Sequence, residues 1–311
     1  MFEFLKKLIL LILSLLTFTM TDLLARQSGD PFRAETFQTS STPDVQVSTS
    51  GGSVIFHGQS SDEVRVYMYA RRNGSYLLPS DTDLENFDII IEQRGNGIVA
   101  EARRRGNGPF SFFNRNNNIS ISFEVYLPEG SAADGRTSGG SVSAENLSNA
   151  LNLRTSGGSV NASNISGNAE LRTSGGSINL ENINGTLSAG TSGGSIRASN
   201  LTGMAELSTS GGSIRLDGIA ARISARTSGG SIRAEFIDFS DDIELRTSGG
   251  NINIDLPQRN NYDLELRGSR VDMQLRNFTG EVERNYIKGV IGEGGPLLNA
   301  RTSGGSVTVR Q

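Results

Sequence analysis

The sequence predicts an all-β fold, a parallel β-solenoid of about 18-residue coils with irregular capping regions at both ends. The first observation behind this is the segment Thr-Ser-Gly-Gly-Ser, which begins at Thr137, Thr155, Thr173, Thr191, Thr209 and Thr227, a constant pitch of 18 residues. It returns 20 residues later at Thr247, as Thr-Ser-Gly-Gly-Asn, and 55 residues after that at Thr302, with an early copy at Thr49. A repeat of this length cannot cover its own apolar face and must stack on its neighbours. The second observation is alternation. Counting from each threonine, positions six and eight (Val142 and Ala144, Ile178 and Leu180, Ile214 and Leu216) are aliphatic with polar residues between, as are positions fifteen and seventeen (Leu151 and Leu153, Leu187 and Ala189). That is the period of a strand buried on one face. The third is composition: 38 glycines against 7 prolines, the glycines at fixed places in the repeat, describe regular turns rather than a low-complexity chain.

Residues 1–25 read as an export signal. Lys6 and Lys7 precede an apolar run of 13 residues from Leu8 to Met20, and a cut is expected after Ala25. The run is shorter than the roughly 20 residues of a spanning helix, so no transmembrane span is expected after cleavage. In residues 36–136, Val45 to Phe56 contains the early signature copy. Val64 to Ala70, Phe87 to Gln93, Ile98 to Arg104 and Ile119 to Tyr126 read as longer strands, with hairpin turns at Asn73-Gly74 and Asn96-Gly97. These are expected to be the first coils of the same solenoid, with antiparallel excursions that close its end, inside one continuous domain over 36–311. A separate small domain ending near Leu127 to Gly130 is the alternative.

Residues 137–311 hold the regular repeats and a C-terminal cap. Each coil is expected to carry two short strands, with rungs stacked about 4.8 Å apart. One corner is of the type Asn164-Ile165-Ser166-Gly167; at the other, Ser-Gly-Gly, glycine is expected to supply positive φ. Position eleven (Leu147, Ile165, Ile183, Leu201, Ile219, Ile237) should face inward, as should the recurring threonine, in a ladder of hydroxyls bonding along the stack. The sixth repeat carries two extra residues near Phe236 to Asp242, read as a bulged corner. Leu264 to Val271 resembles a worn rung, and Tyr286 to Leu298 reads as a strand, a glycine-rich turn and a return, which cover the open end.

The repeated Arg-Thr-Ser-Gly-Gly-Ser-Ile/Val rungs, the strand Phe123 to Pro128 before the first of them, and the closing Gly289 to Pro296 with Arg301 to Val307 resemble a known family. It is the toast-rack group of bacterial adhesin-like, β-strand-repeat domains of unknown function. The resemblance covers residues 36–311. It implies a right-handed parallel β-helix on an exported or envelope protein, with some relatives tied to envelope-stress sensing. The family has no accepted catalytic residues, so none is carried over.

Enzymatic chemistry on such a fold needs convergent carboxylates in a cleft. Position nine carries Glu145, Glu181, Asp217 and Glu235, and position seven carries Arg197, Arg215 and Arg233, side by side as compensating surface ladders. No catalytic residue is assigned. His57, the single histidine, reads as a surface or hydrogen-bond-satisfied residue rather than a base, because no serine–carboxylate arrangement can be assigned around it. The turns hold serine and glycine where calcium-binding coils need aspartate, and Gly292 to Gly295 reads as a plain turn, so no metal or other cofactor is expected. Two surfaces are candidates for contact. The guanidinium column Arg197, Arg215 and Arg233 could face an anionic polymer, or be neutralised by Asp217 and Glu235. The stretch containing Phe110, Phe112 and Phe113, flanked by Arg103-Arg104-Arg105, could meet a partner or membrane surface, or fold back to plug the solenoid end.

A net charge of -4 without charged blocks speaks against nucleic acid, and the absence of cysteine excludes disulfides, thiolate metal sites and a lipidated cysteine. The reading is therefore a non-enzymatic, exported envelope protein in the periplasm, at the cell surface or secreted. It would be structural or adhesive, contacting a surface polysaccharide, an envelope protein or itself. A regulatory component of envelope-stress signalling and a degenerate carbohydrate-active enzyme are the alternatives.

Overall fold

The computed structural model describes residues 29–80, 84–105 and 119–311. The expected export signal and the stretch with Phe110, Phe112 and Phe113 lie outside the described residues. Among these residues the regular structure is entirely β, and 24 strands join one hydrogen-bonded sheet with mostly parallel neighbours. The chain runs through β1 (Arg33–Gln38), β2 (Asp44–Thr49), β3 (Val54–Gln59), β4 (Glu63–Arg72), β5 (Ser75–Leu77), β6 (Phe87–Arg94), β7 (Gly97–Arg104) and β8 (Ile119–Pro128). The regular stack contains β9 (Ala132–Thr137), β10 (Val142–Leu147), β11 (Leu151–Arg154), β12 (Val160–Thr173), β13 (Ile178–Thr191), β14 (Ile196–Thr209), β15 (Ile214–Thr227), β16 (Ile232–Phe236), β17 (Ile243–Thr247) and β18 (Ile252–Asp255). It ends with β19 (Tyr262–Arg267), β20 (Arg270–Met273), β21 (Phe278–Glu283), β22 (Tyr286–Ile291), β23 (Leu297–Thr302) and β24 (Ser306–Arg310).

The alternation read from the repeat sets the register. Val160 pairs with Ile178, Ile178 with Ile196 and Ile196 with Ile214, so each position lies above its equivalent. Position six from Val54 to Val307 is at most 1% exposed, an unbroken aliphatic file. Positions eight and seventeen hold one alanine and one leucine in each of the five 18-residue repeats: Ala144 and Leu153, Ala162 and Leu171, Leu180 and Ala189, Ala198 and Leu207, Leu216 and Ala225. That exchange keeps the core volume of successive rungs constant, as close packing requires. In the rung next to the N-terminal cap, Gly135 makes room instead: a Cβ there would stand 2.6 Å from the Phe56 ring.

Three sequence expectations are corrected at the corners, and a fourth is filled in. The two short strands per coil are, from β12 to β15, a single strand of 14 residues whose ladder skips only the one residue at the bend. Asn164, Asn182 and Asn200 take φ of 53 to 55°, and Gly167, Gly185 and Gly203 take φ of 122, 134 and 94°. Left-handed backbone is therefore at the asparagine corner. None of the signature glycines has positive φ. They are needed because successive backbones touch: a Cβ on Gly176 would lie 2.0 Å from the Gly158 carbonyl oxygen, and one on Gly194 would lie 2.0 Å from that of Gly176. The threonines are buried as expected, and their hydroxyls bond along the stack, with backbone carbonyls of the neighbouring rung as the acceptors. From Thr137 onward each donates to the second signature glycine of the neighbouring rung, as Thr173 to Gly158 and Thr191 to Gly176, both at 2.8 Å, while Thr49 donates to the Ile121 carbonyl at 2.7 Å. The inserted corner moves position eleven by one residue: Phe236 pairs with Ile219 and is 3% exposed, whereas Ile237 is 64% exposed.

Rung order departs from chain order at both ends. β2 and β3 lie between the rung of β7 and β8 and that of β9 and β10, pairing in parallel with both. At the other end β23 and β24 lie between β17 and β18 on one side and β19 and β20 on the other. All nine signature copies, Thr49 and Thr302 included, thus form one continuous file, tied by bonds such as Thr137 to Gly52 at 2.6 Å and Thr302 to Gly250 at 2.7 Å. The rungs without double glycine end the stack. Antiparallel strands border them: β6 on β7, β4 on β8, β1 on β4, and β22 on β19 with β21 beyond. The first hairpin turn falls at Asn73-Gly74 as read, while the second falls at Gly95-Asn96, because Gly97 already pairs with Arg94.

Candidate functional site

Outward positions seven and nine face solvent on either side of the buried position-eight column, and register stacks them into two parallel walls. Between the walls runs a trough of about 530 Å³. One wall is Ile55, Ser143, Asn161, Asn179, Arg197 and Arg215; the other is His57, Glu145, Ser163, Glu181, Ser199 and Asp217. The trough crosses six signature rungs, Thr49 to Thr209, or about 24 Å at the usual strand spacing.

Its contents differ along its length. At the cap end, His57 Nδ1 lies 2.6 Å from Glu145 Oε1, and Nε2 lies 3.2 Å from Glu124 Oε1 on the neighbouring β8. The imidazole stacks on Tyr126 with ring centroids 4.7 Å apart, and the Arg65 guanidinium covers Tyr126 at 5.3 Å. Tyr126 and Tyr69 donate their hydroxyls to Glu124 at 3.0 and 3.1 Å. Burial is the largest single influence on His57 and pulls its pKa down, but the two carboxylates together outweigh it and hold it above the ordinary value. The His57 hydrogen bond, opposed by burial and helped by Tyr126, holds Glu124 below the usual carboxylate range. Burial, reinforced by the Glu124 charge, pushes the Tyr126 phenol up.

In the middle of the trough Asn179 donates to Asn161 at 2.9 Å. At the far end Arg215 pairs with Asp217 at 2.8 Å. Arg233 lies beyond the trough and reaches Asp255 of the next rung at 3.5 Å, not Glu235. Arg197 is exposed and makes no ion pair among the described residues; nor does Glu181 on the opposite wall one rung away. The three predicted arginines thus share a column but not a state: one is free, one tightly paired, one loosely paired.

A second trough of about 390 Å³ runs over positions fourteen to sixteen, lined by Asp44, Asp134, Asn152 and Glu170 among others. Two of its three carboxylates are engaged: Arg136 holds Asp134 at 2.6 Å, and Arg154 and Arg172 reach Glu170 at 3.0 and 2.8 Å; Asp44 makes no ion pair among the described residues. Among the described residues no group of three or more acidic or histidine side chains could hold a metal ion, and no helix is long and apolar enough to cross a membrane.

The sequence profile of the Toastrack DUF4097 family matches residues 80–310, which include the regular rungs and the C-terminal cap. The chain belongs to that family. Two solved structures resemble this Toastrack chain. One is a candidate cell adhesion protein from Clostridium sporogenes, 11% identical, covering 90% of this chain and 99% of its own, with a TM-score of 0.23. The other is a candidate adhesin from Bacteroides fragilis, 10% identical, covering 89% and 96%, with a TM-score of 0.35. No curated protein matches the chain. The His57 cluster escaped sequence reasoning. Its signal was present, because His57 occupies position nine of the Thr49 copy and Glu145 occupies position nine of the Thr137 copy.

Proposed function

We propose that this Toastrack protein is exported and acts, without enzymatic turnover, as an envelope solenoid whose outward columns bind a surface polymer. The observation that carries the reading is the trough over six rungs, where hydrogen-bonding side chains recur at coil spacing. A ligand that repeats along its own length can meet the same contact several times, and weak contacts then sum. The carboxylates of the trough fit binding better than catalysis: Glu145 is held by His57 and Asp217 by Arg215, which leaves Glu181 without a second acid beside it. Cell fractionation with an epitope-tagged chain tests export, and retention on immobilised envelope polysaccharide tests binding. A cytoplasmic chain, or release of shortened polysaccharide by the purified protein, would overturn this reading.

A further inference from the structure

Building on that reading, we infer that the trough takes an uncharged glycan, a neutral chain of hydroxyl-bearing rings, gripped at its centre by Glu181 and Arg197. Three observations converge on this class. The first is charge balance. With His57 protonated, the trough carries His57, Arg197 and Arg215 against Glu145, Glu181 and Asp217, so the groups of each sign cancel. Recognition of a polyanion needs an excess of cationic groups along the backbone path, and the trough has none.

The second is the state of the backbone. Both walls stand inside the sheet, where β10 and β12 to β15 are paired on each side. An extended peptide that binds by strand addition needs a free sheet edge and pockets for alternate side chains. The trough offers neither, and its axis crosses the strands. What it offers are side-chain donors and acceptors: amides at Asn161 and Asn179, hydroxyls at Ser143, Ser163 and Ser199, a carboxylate and a guanidinium. These are the partners that hydroxyl groups need.

The third is the break in the ladder. To one side of the centre His57 occupies Glu145, and to the other Asp217 occupies Arg215; Asn161 and Asn179 bond to each other. Only the middle presents an unengaged strong acceptor and an unengaged strong donor on opposite walls, one rung apart, at Glu181 and Arg197. A carboxylate accepts from adjacent hydroxyls and a guanidinium donates to ring or hydroxyl oxygens, and bonds to charged groups are the stronger kind.

The test is affinity electrophoresis of the mature chain in gels containing dextran, mannan, laminarin or xylan, and in parallel polygalacturonate, alginate or dextran sulfate. At least one neutral polymer should retard the protein. The double variant Glu181→Ala with Arg197→Ser should weaken that retardation about tenfold or more, which corresponds to loss of two charge-assisted bonds. Arg233→Ser, outside the trough, should leave it unchanged, and circular dichroism should show both variants folded. Retardation by acidic polymers alone would overturn the neutral-glycan assignment and leave the surface-polymer reading standing. Neutral retardation that the double variant does not change would overturn Glu181 and Arg197 as the grip. No retardation by any polymer would overturn the inference together with the reading beneath it.

Discussion

At the residue scale, the two signature glycines have different jobs. A Cβ on Gly176 would meet the Gly158 carbonyl oxygen at 2.0 Å, whereas one on Gly175 comes no closer than 3.5 Å to any atom outside its neighbours. Gly176→Ala is therefore expected to destabilise the fold by about 3 kcal/mol or more, and Gly175→Ala to stay within about 0.5 kcal/mol of the parent; urea midpoints compare them directly. Thr191 is 7% exposed and donates to Gly176 at 2.8 Å. Thr191→Val keeps the shape but leaves that carbonyl unpaired, at a cost of about 1–3 kcal/mol. The His57 cluster makes stability depend on pH. A raised histidine pKa stabilises fully below its ordinary value of 6.5, and the gain is lost as pH rises through the raised value. The lowered Glu124 stabilises above its ordinary 4.5, and that gain is lost as pH falls through the lowered value. The difference in urea midpoint between the parent and His57→Gln should be greatest between these two values and shrink steadily at alkaline pH. A difference that grew with pH would contradict the arrangement.

At the scale of the element, the rung is the unit, and its length fixes which face each side chain meets. Removing residues 173–190, 18 in all, should leave a folded, shorter solenoid, because Thr155 and Thr191 rungs carry matching contacts on both faces. Removing 17 turns every following inward residue outward for part of a coil, and the same region should become protease-sensitive. The aliphatic columns were legible in the sequence, since alternation and pitch agree at Val160, Ile178 and Ile196. The corners were less so. Ser-Gly-Gly resembles a turn that needs positive φ, but its glycines answer to the backbone of the next rung, a neighbour that composition does not reveal. Ile237 was assigned inward by counting, and the bulge gave its place to Phe236. In the trough the columns could be counted from the repeat, but the engagement of Asp217 and Glu145 and the freedom of Glu181 depend on side-chain reach. β1, exposed or half-buried along its whole length, lacks the apolar alternation that would have marked it.

On the scale of the whole molecule, the least legible feature was the order of the rungs, because pairing between Thr49 and Thr137, or Thr247 and Thr302, skips long stretches of chain. A chain cut after residue 296 loses β23 and β24 and with them the surfaces that Ile243, Leu245, Leu264 and Leu266 pack on. Such a chain should retain the central rungs by circular dichroism, yet show faster amide exchange in β17 to β22 than the parent; unchanged protection there would contradict the observed pairing. The interleaving also has a bearing on how the protein is made. In a stack laid down strictly in order, each coil could settle as soon as it left the ribosome. Here the seat between β17 and β19 stays vacant until residues 297–310 have emerged, so that end of the stack seals only once this segment has been made, and a product interrupted before it carries an open seat as the mark of its interruption.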